Sequence, residues 1–246
     1  MSEAVQTLDG WYALHDYRTI DWASWNSIPE EDRQEALEEL QVYIRKVTSA
    51  GETNSGSSNV YTIIGHKADL MFIHFRPTVE ELEDLEIEFN KLKFADYTYR
   101  PYSYFSVVEL STYTGANPEN DPAIQARLKP VLPQSKYICF YPMNKRRSGD
   151  DNWFMLPIDQ RRTLMRTHGE TGRKYAGKIV QIITGSTGFD DWEWGVTLLA
   201  EDPIYFKKLV YEMRFDEVSA RFGEFGQFII GTLVDEKRIK DYLALK

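Results

Sequence analysis

Residues Pro157 to Ser186 read PIDQRRTLMRTHGETGRKYAGKIVQIITGS. The stretch divides into a helix, a glycine stop and a strand. Pro157 suits a first helical turn, where its missing N–H is not needed, and Gly169 suits a C-terminal stop. Leu164, Met165 and His168 fall at i, i+1 and i+4, which puts the histidine on the apolar face of the helix. Lys178 to Ile183 (KIVQII) then reads as a buried strand with one polar member, Gln181. A histidine ending an apolar helix face and a glutamine within an apolar strand can form opposite walls of one pocket. The commoner reading is two ordinary core residues, since most histidines are satisfied by hydrogen bonds.

Working outward, the same alternation continues. Tyr137 to Tyr141 (YICFY) reads as a strand ended by Pro142, placed before the His168 helix. Trp192 to Leu199 is a strand. Asp202-Pro203 opens a helix with Phe206, Leu209, Val210 and Met213 on one face, and Phe225 to Leu233 is the last strand. The N-terminal half repeats the order. Leu8 to His15 is a strand with Trp11, Ala13 and His15 on one face. Pro29 to Lys46 is a helix with a Leu37, Leu40, Ile44, Val47 stripe. Gly51 to Ser58 (GETNSGSS) is a polar loop. Val60 to Ile64 and Leu70 to Phe75 are strands, Thr78 with Glu81 is a capping box, and Leu82, Leu85, Phe89 and Leu92 face one way on the helix that follows. Tyr102 to Leu110 closes the half as a β-branched and aromatic strand. Between the halves, residues 112–136 carry Pro118, Pro122, Pro130 and Pro133 with Gly115, a linker with a short helix at Ile124 to Leu128. The expectation is an α+β chain with the order β-α-β-β-α-β twice, a tandem ferredoxin-like fold of the dimeric α/β-barrel type. Its parts are residues 1–111, the linker 112–136 and residues 137–246.

Several function classes recede on composition. The chain has 246 residues and a net charge of −9, which argues against a general nucleic-acid or membrane-surface binder. No apolar run reaches the ~18 residues of a membrane span, and Met1-Ser2-Glu3 does not resemble a signal peptide. The single cysteine, Cys139, forbids an intrachain disulfide and a cysteine-rich zinc site. Cytoplasm is the default compartment. HExxH, GxSxG, P-loop and GxGxxG motifs are all missing.

With four histidines, His15, His66, His74 and His168, one cofactor class needs only one of them: an iron porphyrin, whose macrocycle supplies the other four nitrogens. Its propionates would need basic anchors. Arg127, Lys145, Arg146, Arg147 and Arg173 are candidates because guanidinium and ammonium groups bind carboxylates, although each also reads as an ordinary solvated surface charge. Tyr141 shares a strand face with Tyr137 and Cys139, at the strand end, beside a proline and a basic cluster. It reads either as a hydrogen-bonded core tyrosine or as a phenol that an oxidised porphyrin converts to a radical.

Together, YICFYPMNKRR, NWFML, RTHGETGRKYAGKIVQIITGS, DDWEWGVTL and YEMRFDEVSARFGEFGQFIIG closely resemble the coproheme decarboxylase family. This is the peroxide-dependent haem synthase of Gram-positive bacteria, within the chlorite dismutase-like superfamily. LDGWYALHDYRTIDWASW and YSYFSVVELS match as well. The resemblance implies an oxidoreductase of haem biosynthesis, in which iron coproporphyrin III is both substrate and redox cofactor. Two propionates are removed with hydrogen peroxide to give haem b. It implies a homopentamer, with ferrochelatase as the source of substrate. By motif, His168 is the axial iron ligand, Tyr141 the radical-forming catalytic residue, and Gln181 a distal residue. Arg127, Pro142, Met143, Asn144, Lys145 and Ser219 contact substrate carboxylates or line the pocket. Chlorite-decomposing members carry an arginine at the Gln181 position, so the uncharged amide argues against chlorite. The family's RxRLYP appears here as Gln125-Ala126-Arg127-Leu128-Lys129-Pro130, which keeps one arginine and loses the other and the tyrosine. The competing expectations are a haem carrier or sensor without catalysis, and an interaction protein whose aromatic residues only build an oligomer.

Overall fold

The computed structural model describes residues 3–113 and 121–244. Gly115 and Pro118 of the expected linker lie outside them. In chain order the elements are β1 (Thr7–Ile20), α1 (Trp22–Ser27), α2 (Glu30–Thr48), β2 (Ser57–Ile63), β3 (Leu70–Arg76), α3 (Val79–Asn90), β4 (Thr98–Ser111), α4 (Pro122–Leu128), β5 (Tyr137–Lys145), α5 (Ile158–Arg173), β6 (Val180–Gly185), β7 (Trp194–Ala200), α6 (Ile204–Met213), α7 (Glu217–Phe222), β8 (Gly223–Phe225), β9 (Ile229–Leu233) and α8 (Glu236–Leu243). The architecture is mixed α+β, and the pairings β1–β3, β2–β3, β2–β9, β4–β6, β5–β7, β5–β8 and β6–β7 are antiparallel.

The chain divides into two compact units. The first holds Trp11–Phe105, Pro130–Gln134 and Ile230–Lys246. Its strands run in the order β4-β1-β3-β2-β9. The stripe Leu37, Leu40, Ile44 and Val47 of α2 is fully buried, against Phe72 of β3 and Phe89 of α3. Helix α2 also has an acidic first turn and a basic last turn, matching its dipole. Thr78 caps α3 by accepting a hydrogen bond from the Glu81 N–H at 3.2 Å.

The polar loop expected over Gly51 to Ser58 ends early. Its first half is a 3-10 turn, and Ser57 and Ser58 are buried members of β2. Their hydroxyls are satisfied there: Ser57 Oγ accepts from the Leu132 N–H at 2.8 Å, and Ser58 Oγ lies 2.7 Å from His74 Nδ1. Serines read as loop formers because they compete for backbone hydrogen bonds, and here the sheet supplies other partners.

The second unit holds Met1–Gly10, Ser106–Lys129 and Ser135–Ile229. Its strands run β4-β6-β7-β5-β8. Two sequence stops fail here. Pro142 does not end β5, which continues to Lys145. Residues in a strand point N–H and C=O to the same side, and the Pro142 carbonyl accepts from the Gly226 N–H at 2.8 Å. The missing proline N–H therefore falls where β8 has already ended, so no ladder bond is lost. Gly169 does not end α5, which runs on to Arg173. Helices α6 and α7 pack against α5, and that packing outweighs the ~1 kcal/mol cost of an interior glycine. The helix is capped at Lys174, and the left-handed glycine is Gly177, at φ +77°, in the turn that follows.

Gly10 is a steric requirement. A Cβ there would sit 1.9 Å from the Leu128 carbonyl oxygen, which is backbone and cannot rotate away. Gly10→Ala is expected to destabilise the fold by about 1–3 kcal/mol. The readout is a lower urea midpoint at unchanged slope, and an unchanged midpoint would contradict the close approach.

Candidate functional site

The site is built in the second unit, from a sheet face and a helix pair. In antiparallel ladders directly opposed residues share a face. Tyr141 on β5 is opposite Val196 on β7, which is opposite Ile183 on β6. One row along, Cys139, Leu198 and Gln181 align; on the other side, Met143, Trp194 and Gly185 align. Tyr141, Met143, Lys145 and Gln181 therefore share one face. Tyr141 and Gln181 stand two strand spacings and one side-chain row apart, about 12 Å. Pro142 and Asn144 point to the opposite face, where Asn144 Oδ1 accepts from the Glu193 N–H at 2.8 Å.

Tyr141 is 8 % exposed. Its ring stacks on Phe228 with centroids 4.4 Å apart and tilts against Phe225 at 5.9 Å. The Arg214 guanidinium sits 3.9 Å from the Phe225 centroid. Burial pushes the Tyr141 phenol well above its ordinary pKa; Cys139 adds to the rise and Arg214 opposes it. The phenol therefore stays protonated near neutral pH.

His168 extends from α5, whose Leu164 and Met165 pack with Trp153, Val218 and Phe222. Its Nδ1 lies 2.7 Å from Asp216 Oδ2. Asp216 is the N-cap of α7, and the same oxygen accepts from the Ser219 N–H at 3.2 Å. Burial works against the Asp216 carboxylate. The hydrogen bond and charge of His168, the Ser219 N–H and Lys145 outweigh it, and its pKa falls below the ordinary carboxylate value. An ionised carboxylate only accepts, so the proton of this pair sits on Nδ1 of the imidazole. When the ring is neutral this leaves the Nε2 lone pair as a metal-binding position, the arrangement that orients a ligating histidine.

Lys145 joins the two parts. It is 8 % exposed and its ammonium lies 5.1 Å from the Trp153 ring centroid. Burial lowers its pKa to about 8, against the attraction of Asp216 and Glu193. Glu193 also accepts from the Lys145 backbone N–H at 3.0 Å.

The structure thus gathers Tyr141, Met143, Lys145 and Gln181 on one sheet face, and ties His168 and Ser219 together through Asp216. Gln181 is exposed on β6 rather than buried. Arg127 is exposed in the last turn of α4, and among the described residues it makes no hydrogen bond or ion pair with this group. Sequence reading passed over Asp216 and Trp153. Asp216 had a signal, since an aspartate before Glu217, Val218 and Ser219 has the form of an N-cap.

A single imidazole of fixed tautomer suits an iron held at its other positions by a macrocycle. Among the described residues no group of three or more metal-ligating side chains converges elsewhere. The donor set fits an iron porphyrin, with His168 as ligand and Lys145 as a carboxylate anchor.

Comparison with known proteins bears on the fold and the family. The chlorite dismutase family model matches residues 33–234. A haem-binding protein from Thermus thermophilus is 50 % identical, with 100 % of this chain and 99 % of that one covered, at a TM-score of 0.96. A chlorite dismutase variant from Candidatus Nitrospira defluvii is 20 % identical over 96 % of both chains, at 0.78. A chlorite dismutase of that organism in complex with imidazole is 20 % identical over 96 % of both chains, at 0.77. The fold and the family model define a chain of the chlorite dismutase-like class. The chain belongs to the chlorite dismutase family.

Proposed function

We propose that this chain is a coproheme decarboxylase, which removes two carboxyl groups of iron coproporphyrin III as CO2 and yields haem b, with hydrogen peroxide as oxidant. The observation that carries the reading is the shared sheet face of Tyr141, Lys145 and Gln181. It combines an oxidisable phenol, a cation for carboxylates and an uncharged amide where chlorite-decomposing relatives resemble one another in having arginine.

For each propionate the balance is R–CH2–CH2–COO⁻ + H2O2 + H⁺ → R–CH=CH2 + CO2 + 2 H2O. The bound iron porphyrin supplies the chemistry that turns peroxide into oxidising equivalents. His168 would hold the iron through Nε2, with its ring fixed by Asp216. Tyr141 gives up an electron and its phenolic proton, and the resulting tyrosyl radical takes a hydrogen atom from the β-carbon of the propionate. Loss of CO2 and of a second electron would then leave the vinyl group, both electrons going to the peroxide-derived oxidant, which ends as two waters. Lys145, with a pKa near 8, holds a propionate when protonated and can deliver the one net proton that each turnover consumes.

The same reading includes a tandem ferredoxin-like arrangement cut at residues 112–136, and assembly as a homopentamer. It places the chain in the cytoplasm, consistent with one free cysteine, Cys139, and gives it ferrochelatase as the supplier of substrate. Among the described residues no helix is long and apolar enough to cross a membrane. Arg127, Met143 and Ser219 contact the substrate in this reading.

Stepwise peroxide addition to the protein with iron coproporphyrin III, followed by mass spectrometry, tests the activity. Loss of two carboxyl groups through a singly decarboxylated species supports it. Binding without mass change would favour a haem carrier or sensor, a reading supported by the haem-binding relative. Asp216→Asn is expected to weaken iron ligation by about 10- to 100-fold, seen as a shifted porphyrin absorption titration; parent-like ligation would remove Asp216 from this role.

A further inference from the structure

Glu109 is a carboxylate on the same sheet face, unused by the chemistry above. Val107 of β4 pairs with Gly185 of β6, so Glu109, two residues on, shares the face of Gly185, Trp194 and Met143. Three observations place its carboxyl group there. A Cβ on Gly185 would lie 2.3 Å from Glu109 Oε2, so the glycine leaves the room that the carboxyl group occupies. Trp194 Nε1 donates to Glu109 Oε1 at 3.3 Å. Trp194 is itself directly opposite Gly185. From β4 to β5 is three strand spacings, about 14 Å, so Glu109 and Tyr141 stand at opposite edges of one face.

An ionised carboxylate at the edge of a site for a polycarboxylate would repel its ligand. Burial raises the Glu109 pKa; the Trp194 hydrogen bond opposes the rise, and Asp9 is the charged group that adds to it. A carboxyl group that takes up a proton as the ligand arrives can donate a hydrogen bond to the incoming carboxylate instead.

We propose that Glu109 is a proton-dependent binding contact, whose carboxyl group shares one proton with a carboxylate of the bound porphyrin at the edge of the face opposite Tyr141. This rests on the porphyrin reading above. Binding is then coupled to proton uptake on the acid side of neutrality, where Lys145, with its pKa near 8, is already charged and contributes little.

The test is calorimetric titration of the parent and of Glu109→Gln with iron coproporphyrin III, without peroxide, between about pH 5 and 7 in two buffers of different ionisation enthalpy. Glutamine keeps an acceptor for Trp194 but cannot titrate. The parent is expected to take up protons on binding and to lose affinity as pH rises; Glu109→Gln is expected to bind without uptake and with a flat profile. Gly185→Ala, which displaces the carboxyl group without removing it, is expected to reduce the uptake, and it serves if Glu109→Gln folds poorly. Equal uptake in the parent and both variants overturns this inference alone. Absence of porphyrin binding by the parent overturns the underlying reading and this inference with it.

Discussion

Tyr141→Phe is expected to bind iron coproporphyrin III with parent-like affinity and to release little or no CO2 from it. The substitution keeps the ring, so the stack on Phe228 at 4.4 Å and the contact with Phe225 persist. What is lost is an O–H bond of suitable strength for one-electron, one-proton oxidation. A phenylalanine ring has no such bond to give up. The expected fall in decarboxylation rate is at least 10²–10⁴-fold, roughly the scale for loss of a proton-transferring side chain. The phenol is held protonated by burial, so the parent rate should not climb as pH approaches the ordinary tyrosine pKa. Rapid-quench mass spectrometry against an unchanged binding curve separates this from misfolding. Haem b formation at the parent rate in Tyr141→Phe would remove the tyrosyl step.

How much of this could be read in advance depends on the range of the interaction. Local patterns transferred well: the Leu37, Leu40, Ile44, Val47 stripe is buried, and Thr78 caps α3. The His168 side chain does lie on the helix face formed by Leu164 and Met165. Stops inferred from Gly169 and Pro142 failed because each cost is small or absent once the neighbours are in place. Ser57 and Ser58 looked like loop for the same reason, since their partners Leu132 and His74 are remote in sequence. The site itself is non-local. The partner of His168 is 48 residues away, and only the β5–β7–β6 register reveals that Tyr141 and Gln181 share a face. Glu109 enters the same face through Gly185, an absence of side chain that no motif announces. Position along one strand could be read from alternation, but position across strands required the pairing.

Lys145→Met is expected to stabilise the protein and to weaken its hold on the substrate. The parent lysine has a folded pKa of about 8 against an ordinary 10.5. Below about pH 8 both folded and unfolded chains carry the proton, and the full cost of the buried charge is present. As pH rises from 8 towards 10.5 the unfolded chain binds more protons than the folded one, so stability increases across that window. At neutral pH the shift corresponds to about 3 kcal/mol. Methionine retains the apolar stem against Trp153 and removes the charge, although Asp216 and Glu193 lose an attractive neighbour. A net gain of about 2–3 kcal/mol is expected, seen as a higher urea midpoint at pH 7 and a flatter stability profile between pH 8 and 10.5. The same variant should bind iron coproporphyrin III about 10- to 100-fold more weakly, the scale of a lost hydrogen bond to a charged group. A carboxylate arriving beside Lys145 raises its pKa again, so parent affinity should also fall as pH passes above 8, while the variant shows no such fall. A cation that costs stability in the empty protein and is relieved by an anionic ligand is what a binding residue requires. Loss of stability in Lys145→Met with affinity unchanged would instead make the lysine a structural partner of Asp216 and Glu193.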